Sequence, residues 1–451
     1  MATTPTPTAQ PTRVRPAWLV ILLCWLIVVF DGYDLIVYGT TLPSILAEPG
    51  WGLTATSAGL IGSLAFLGML VGALAAGRLA DALGRRRTIL WCTLWFSLFT
   101  ALCYVAPNAE TFGAFRFIAG LGLGGLVPSA NALTSEFVSV RTRSAVATIM
   151  MSGVPVGGTI AALVGREVIP AHGWRPMYAV AFVGVVILLP LCWRYLPESP
   201  TWLRSRGRLD EAAAVDALHG IDTSGVPTEK PEHEGIRGIL RGPWLVATVL
   251  FSLATVATLF AWYGLGTWLP KLMGSDDRFD LGNPLNFLIA LNVGAVLGSV
   301  VTAWAGMRFG PLRSAIGAAI LAAAGLAFLL TYPSEVTPIY AALILAGVGT
   351  HGTQCLIIAA VASHYPQQTR GTSLGFVLGL GRIGAVAAPY IGGSLLDAGL
   401  GVGSNFVAFS LAAALAAVLL VVTAVVTTRG RDRQPRAAVD APAEPALAGA
   451  C

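Results

Sequence analysis

The sequence predicts an all-α, polytopic membrane protein whose twelve helices form two six-helix halves. Three observations predict it. The chain is 55% hydrophobic and only 11% charged, with a mean hydropathy of +0.73, whereas a water-facing globular surface draws on about 25% charged residues. Apolar runs of about 20 residues, the length that crosses a bilayer, recur along the whole chain. The second half of the chain also repeats short motifs of the first at a fixed spacing. Together these exclude a soluble enzyme.

The elements follow in order. The opening "MATTPTPTAQPTRVRP" is polar and rich in Pro and Thr, so 1–16 reads as a disordered tail. The apolar run after it is too long for a signal-peptide core and has no small-residue cleavage site, so it reads as a retained first helix. The predicted spans are 17–42, 55–80, 88–106, 111–134, 144–169, 175–196, 244–270, 284–305, 313–332, 337–364, 371–397 and 403–428. The polar stretch 197–243, which contains "PTEKPEHEG", is the expected linker between an N-terminal half (17–196) and a C-terminal half (244–428). Residues 429–451 read as a second disordered tail.

Charge sets the orientation. With the N-terminus inside, 22 of the 28 Lys and Arg residues fall in segments facing the cytoplasm. Only Arg166, Arg175, Lys271 and Arg278 fall outside, and Arg116 and Arg382 lie within predicted helices. This bias predicts cytoplasmic termini. The formal net charge of +5 does not imply nucleic-acid binding, because the arginines are spread over short loops. Five of the six cysteines lie in apolar runs and no C-x-x-C pair occurs. The five histidines show no H-x-x-x-H spacing. No metal site or cofactor is expected, nor any catalytic constellation.

The repeat is specific. "GTTLPSIL" from Gly39 matches "GTWLPKLM" from Gly266; "GLGLGG" from Gly120 matches "GVGTHG" from Gly347; Arg143 matches Arg370. The offsets agree: 266 − 39, 347 − 120 and 370 − 143 are all 227. A duplicated six-helix unit suggests a transporter with its substrate site between the halves near the bilayer midplane.

After the second span comes "GRLADALGRRR", with Gly77, Asp81, Gly84 and Arg85 to Arg87. It resembles the signature loop of the major facilitator superfamily, which helps to gate the cytoplasmic side. The two glycines are expected to let the loop turn, and Asp81 to meet a helix end or an arginine. In the second half, "GMRFGPLR" has Met307 at the Asp position, so that gate should be weaker there. "RFIAGLGLGG" from Arg116 and "LPESPTWL" ending at Leu203 fit the same superfamily. "DGYD" at Asp31–Asp34, "GTQ" at Gly352–Gln354, "YPQQTRGT" from Tyr365 and "GLGRIGAVAAPYIGG" from Gly379 resemble its aromatic acid:proton symporter family. The resemblance implies a twelve-helix fold and proton-coupled import of an aromatic carboxylate of the benzoate or hydroxybenzoate class. Its partners would be that acid, protons and membrane lipid, with the protein acting as a monomer in the bacterial cytoplasmic membrane.

Ionisable side chains inside the spans cost at least about 2.5–3.5 kcal/mol each and need a reason. Asp31 and Asp34 share one helix face, and depth counting puts Arg116 beside them. Two close carboxylates in low dielectric do not both ionise readily, which suits proton uptake. The alternative is that Arg116 only neutralises the acids and locks the helices. Arg382, near the midplane, suits a substrate carboxylate; the alternative is bonding to helix carbonyls or a nearby acid. His351 could hydrogen-bond a substrate hydroxyl, relay a proton, or be a packed polar residue; Gln354, three residues on, shares its helix face and is a further candidate for the substrate site. Tyr33, Tyr38, Trp262 and Tyr263 could flank an aromatic ring or simply pack. Glu136, Arg143 and Arg370 read as inner-gate ion pairs, with ordinary solvated loop charge as the alternative. A sugar porter, a porter of another organic anion and a drug/proton antiporter are the rival functions.

Overall fold

The computed structural model describes residues 16–139, 142–221, 235–241, 244–276 and 282–432. Among them twelve helices are long and apolar enough to span a membrane: α1 (Ala17–Leu46), α2 (Ala55–Leu83), α3 (Arg85–Val105), α4 (Ala109–Glu136), α5 (Ala145–His172), α6 (Pro176–Tyr195), α7 (Trp244–Gly274), α8 (Leu285–Phe309), α9 (Pro311–Leu329), α10 (Val336–His364), α11 (Gln368–Asp397) and α12 (Gly401–Thr427). No strand occurs among the described residues. The expected tails lie outside the described residues except for Pro16 and 429–432, the last of which continue α12 as helix. Residues 222–234 of the linker also lie outside them.

An even number of spans brings both ends of the chain to one face, here termed the linker face; the α1–α2 connection lies on the far face. Large apolar side chains such as Leu74, Val186 and Met307 are exposed around the bundle, as a lipid-facing girdle requires. Trp18, Trp91, Trp193 and Trp304 are more than half exposed, and all four lie toward the linker-face ends of their helices. That is where amphipathic rings favour the membrane boundary.

Two elements differ from expectation. The sixth span is not a regular helix: Pro176–Ala179 is followed by a turn and a π-helical stretch, Gly184–Leu188, before Leu189–Tyr195. Pro190 explains it, because it has no N–H for the carbonyl four residues back and its ring crowds that turn. The linker carries helices at Pro200–Ser205 and Leu209–His219. The second begins with Asp210 and Glu211 in its first turn and ends at Gly220 in the left-handed conformation, the usual start and stop chemistry.

The duplication is visible in the packing. Gly39 of α1 and Gly266 of α7, matched by the 227-residue offset, lie directly against each other, so a Cβ on Gly39 would enter the Gly266 carbonyl. Between the halves, α2 packs on α11 and α5 on α8, and the close approaches gather toward the far face: Gly59 against Pro389, Gly393 against Ala55, and Gly158 against Asn292. The last of these, Gly158 with Asn292, lies near mid-depth; from there toward the linker face the same helices part. Positions 77 on α2 and 371, 375 and 379 on α11, all glycine, have open space where a Cβ would stand. A cavity of about 170 Å³ there is lined by Thr148, Thr302, Gly306, Pro311 and Cys355, room for several waters. The far face is shut and the linker face is parted.

Candidate functional site

Three ionisable residues stand at mid-depth. Asp31 has fourteen residues of α1 before it and fifteen after; Arg382 has fourteen of α11 before and fifteen after; His351 has fifteen of α10 before and thirteen after. They come from both halves, so the duplicated fold brings them to the interface between the halves.

Asp34 is held within the N-terminal half. Arg116 Nη1 donates to both Asp34 carboxylate oxygens at 2.9 Å, and its Nη2 donates to the Asp34 carbonyl at 3.1 Å. Thr100 Oγ1 donates to the same carboxylate at 2.5 Å. Asp34 and Arg116 are each 1% exposed. A buried charge pair tolerates this only with most of its hydrogen-bonding capacity used, and Asp34 meets that condition. The expected three-charge cluster is therefore divided: Arg116 binds Asp34 and makes no ion pair with Asp31.

Asp31, also 1% exposed, is the opposite case. Its Oδ1 has no hydrogen-bond partner among the described residues. The charges that act on it are Arg382 of the other half and Asp34 one turn away. Tyr263 on α7 interacts electrostatically with both Asp31 and Arg382, and its ring packs on Phe66 of α2 at 4.5 Å between centroids. Arg382 makes no salt bridge among the described residues. An unpartnered carboxylate oxygen thus lies near an arginine that has no ion pair, with a phenol beside both.

His351 lies within reach of the Met151 backbone on α5, 5.4 Å from the Trp262 ring and 3.7 Å from Cys355 Sγ. Gln354 is buried and its Oε1 has no partner among the described residues. Tyr33 and Tyr38 are committed elsewhere: their hydroxyls donate to the carbonyls of Met177 at 2.8 Å and Ala58 at 2.5 Å, both in the N-terminal half. Gly32, between the acids, is required by a helix crossing, since a Cβ there would enter the Val154 backbone of α5.

The linker-face residues form a cluster within one half. Glu136 pairs with Arg85, and it accepts from Ser199 Oγ at 2.8 and 2.9 Å and from the Thr201 N–H at 3.1 Å. It does not pair with Arg143 or Arg370, which make no ion pair among the described residues. Glu198 accepts from the Arg86 N–H at 2.9 Å. The Asp81 carbonyl accepts from Trp202 Nε1 and Arg206 Nη2, while its carboxylate is exposed and makes no ion pair among the described residues. Arg87 is likewise exposed. The expected two-glycine turn uses one glycine: Gly77 lies inside α2 and Gly84 makes the turn, at φ 95°, a conformation that side chains disfavour.

Comparison with known proteins decides the family. The profile of the Major Facilitator Superfamily matches residues 24–306 and 285–448. The chain belongs to the Major Facilitator Superfamily. It is 51% identical over 398 residues to the gentisate transporter of Corynebacterium glutamicum, covering 88% of this chain and 85% of that one. It is 36% identical to the benzoate transport protein of Acinetobacter baylyi, covering 88% and 87%. Among solved structures, a partially occluded, inward-open form of the xylose transporter XylE from E. coli superimposes with a TM-score of 0.70 at 16% identity, over 90% of this chain and 98% of that one. That likeness concerns the fold alone.

Within the superfamily fold, sequence reading missed the anchoring role of Thr100 and the docking of "LPESPTWL" on Glu136 and the Arg86 N–H. Thr100 carries no local signal, since its partner is 66 residues away. Ser199 and Pro200 did carry one: a serine followed by proline is a helix start, and Ser199 caps Pro200–Ser205 through the Trp202 N–H.

Proposed function

We propose that this chain is a proton-coupled importer of an aromatic carboxylate, a benzoate carrying ring hydroxyls such as gentisate being the first candidate. Asp31 is the proton carrier and Arg382 the anchor for the substrate carboxylate. The observation that carries this reading is the mid-membrane pair of an unpartnered Asp31 oxygen and an Arg382 without an ion pair, one from each half. Relatives named for gentisate and benzoate support the substrate class.

Both termini and the linker face the cytoplasm, supported by the basic bias, so the parted face opens inward. In the cycle, Asp31 takes a proton from outside. The substrate carboxylate then meets Arg382 in bidentate contact, with Tyr263 and Trp262 along the ring and His351 and Gln354 available to its hydroxyls. Asp34 and Arg116 keep the N-terminal half rigid while the halves rock. On return, Asp81 on α2 and the unpaired Arg143 and Arg370 close the inner face. One proton with one monoanion moves no net charge, so the pH gradient alone drives this stoichiometry. A second proton would add about 2.3 kcal/mol per 100 mV. The transporter works as a monomer.

The test is uptake of labelled gentisate and benzoate into proteoliposomes under an imposed inward proton gradient, comparing wild type with Asp31→Asn. Wild type should accumulate at least one of the acids; Asp31→Asn should exchange it but not accumulate it. Folded wild type that accumulates neither acid rejects the substrate class, and uptake of labelled xylose or of a labelled cationic drug by the same vesicles then identifies the rival. Accumulation by Asp31→Asn at the wild-type level rejects the proton role.

A further inference from the structure

We propose that Asp397 is the latch of the far face: its carboxylate, from the C-terminal half, caps the N-terminus of α2 in the N-terminal half and lets go when the far face opens. The four leading N–H groups of a helix have no partner within it. At the start of α2 the N–H of the cap residue Thr54 donates to Ser57 Oγ at 2.9 Å, and the Ser57 N–H to Thr54 Oγ1 at 3.2 Å. The two that remain both go to Asp397: Ala55 N–H to Oδ1 at 3.1 Å and Thr56 N–H to Oδ2 at 2.7 Å. The cap is thus completed by a residue 342 positions away, on the last turn of α11. A carboxylate is favoured there by the helix dipole as well as by the hydrogen bonds.

The surroundings make this contact specific to the far-face-shut state. Gly59 lies against the Pro389 carbonyl and Gly393 against the Ala55 carbonyl, so α2 and α11 touch backbone to backbone. Trp268 Nε1 donates to the same Pro389 carbonyl at 2.9 Å, bringing α7 onto the seam. At the other end the two helices have separated, as the open space at Gly77 and Gly371 indicates. The α2–α11 pair is therefore joined at one end only, and rocking must break the Asp397 bonds before the far face can part. The latch would act whichever solute is carried.

The test is a distance measurement, so it does not depend on uptake. Spin labels at Glu110→Cys and Ser334→Cys, exposed far-face positions on opposite halves, are read by pulsed electron resonance in nanodiscs, with Cys355 and Cys451 replaced by serine. Two variants break the latch from opposite sides. Asp397→Ala removes the acceptor. Ala55→Pro removes one donor at the first helical position, where proline is well tolerated. Asp397→Ala should raise the ratio of long-distance to short-distance population by about five- to tenfold, the size of a lost helix cap; Ala55→Pro should raise it by less. The double variant should match Asp397→Ala alone, and Asp397→Glu should restore part of the short-distance population. Unchanged distances in both single variants, or independent addition of their effects in the double variant, would overturn the latch.

Discussion

Replacing each acid of the Asp31–Asp34 pair in turn should separate anchor from carrier. Asp34→Asn removes the negative charge and one of the acceptors that Arg116 Nη1 uses, leaving a guanidinium that is 1% exposed without its counter-charge. The bond from Nη2 to the backbone carbonyl survives, as does one from Nη1 to the remaining side-chain oxygen, but the counter-charge is gone. Breaking a buried pair from one side costs about 3–5 kcal/mol, a large part of a typical folding stability of about 5–15 kcal/mol. Asp31→Asn breaks no hydrogen bond at Oδ1, because none is made there among the described residues. It exchanges a buried carboxylate for a neutral amide of the same shape, so its stability should fall by about 1 kcal/mol at most. The assay is thermal unfolding of the purified protein in one detergent, followed by tryptophan fluorescence, with gradient-driven uptake measured on the same preparations. Asp34→Asn should unfold well below wild type, and Asp34→Asn with Arg116→Gln should recover part of the loss because neither charge is left alone. Asp31→Asn should unfold near wild type yet fail to accumulate substrate. If Asp34→Asn is as stable as wild type, or Asp31→Asn is the less stable of the two, the division of labour is wrong.

Further outcomes follow from other contacts. Arg382→Ala should weaken equilibrium binding of the aromatic acid by at least about tenfold, since truncating one side of a buried charge contact costs about 2–5 kcal/mol; binding within twofold of wild type would remove Arg382 from the substrate site. Gly39→Val should abolish uptake without loss of expression, because its side chain would occupy the space of the Gly266 carbonyl and hold the far face apart; normal uptake would refute the one-sided closure. At the far face, partial burial raises the Glu48 carboxyl, but donation from Trp174 Nε1 at 2.7 Å and Arg175 Nη2 at 2.9 Å outweighs it and holds the group below its ordinary value. Its contribution is then full above the unfolded carboxylate pKa of about 4.3 and is lost as pH falls through the lower folded value. Wild type should lose unfolding temperature more steeply than Glu48→Gln below about pH 4.5; parallel curves would contradict it.

Much of the fold was legible because its signals are local. Apolar runs located the twelve spans, and the 227-residue offset paired Gly39 with Gly266, which the structure brings face to face. Depth counting likewise put Arg382 and His351 near mid-membrane. Partners across the bundle were not legible. Nothing near Arg116 says that it takes Asp34 and leaves Asp31, a choice fixed by how α4 is rotated about its axis. Nothing near Glu136 points to Ser199, 63 residues on. Tyr33 and Tyr38 looked available because aromatic type was readable and the carbonyls receiving their hydroxyls were not. The helix Leu209–His219 could have been read from its acidic first turn and terminal glycine, but the polar composition around it hid the signal.

The spacing of the two acids has a further consequence. Three residues turn an α-helix through about 300°, so Asp31 and Asp34 point about 60° apart. That is close enough for each to act on the other electrostatically, and far enough for them to face different elements. One carboxylate lies in the seam between α1 and α4, where Arg116 and Thr100 saturate it; the other faces the seam between the halves, where Arg382 stands. Gly32 presses α1 onto α5 between them, which fixes the rotation of α1 and keeps the acids from exchanging roles. On the proposed reading, a proton arriving at Asp31 would change the charge of the inter-half seam while the intra-half pair stays intact. Spacing the acids four residues apart would turn the second by only about 40° from the first, bringing both toward one partner and removing that separation.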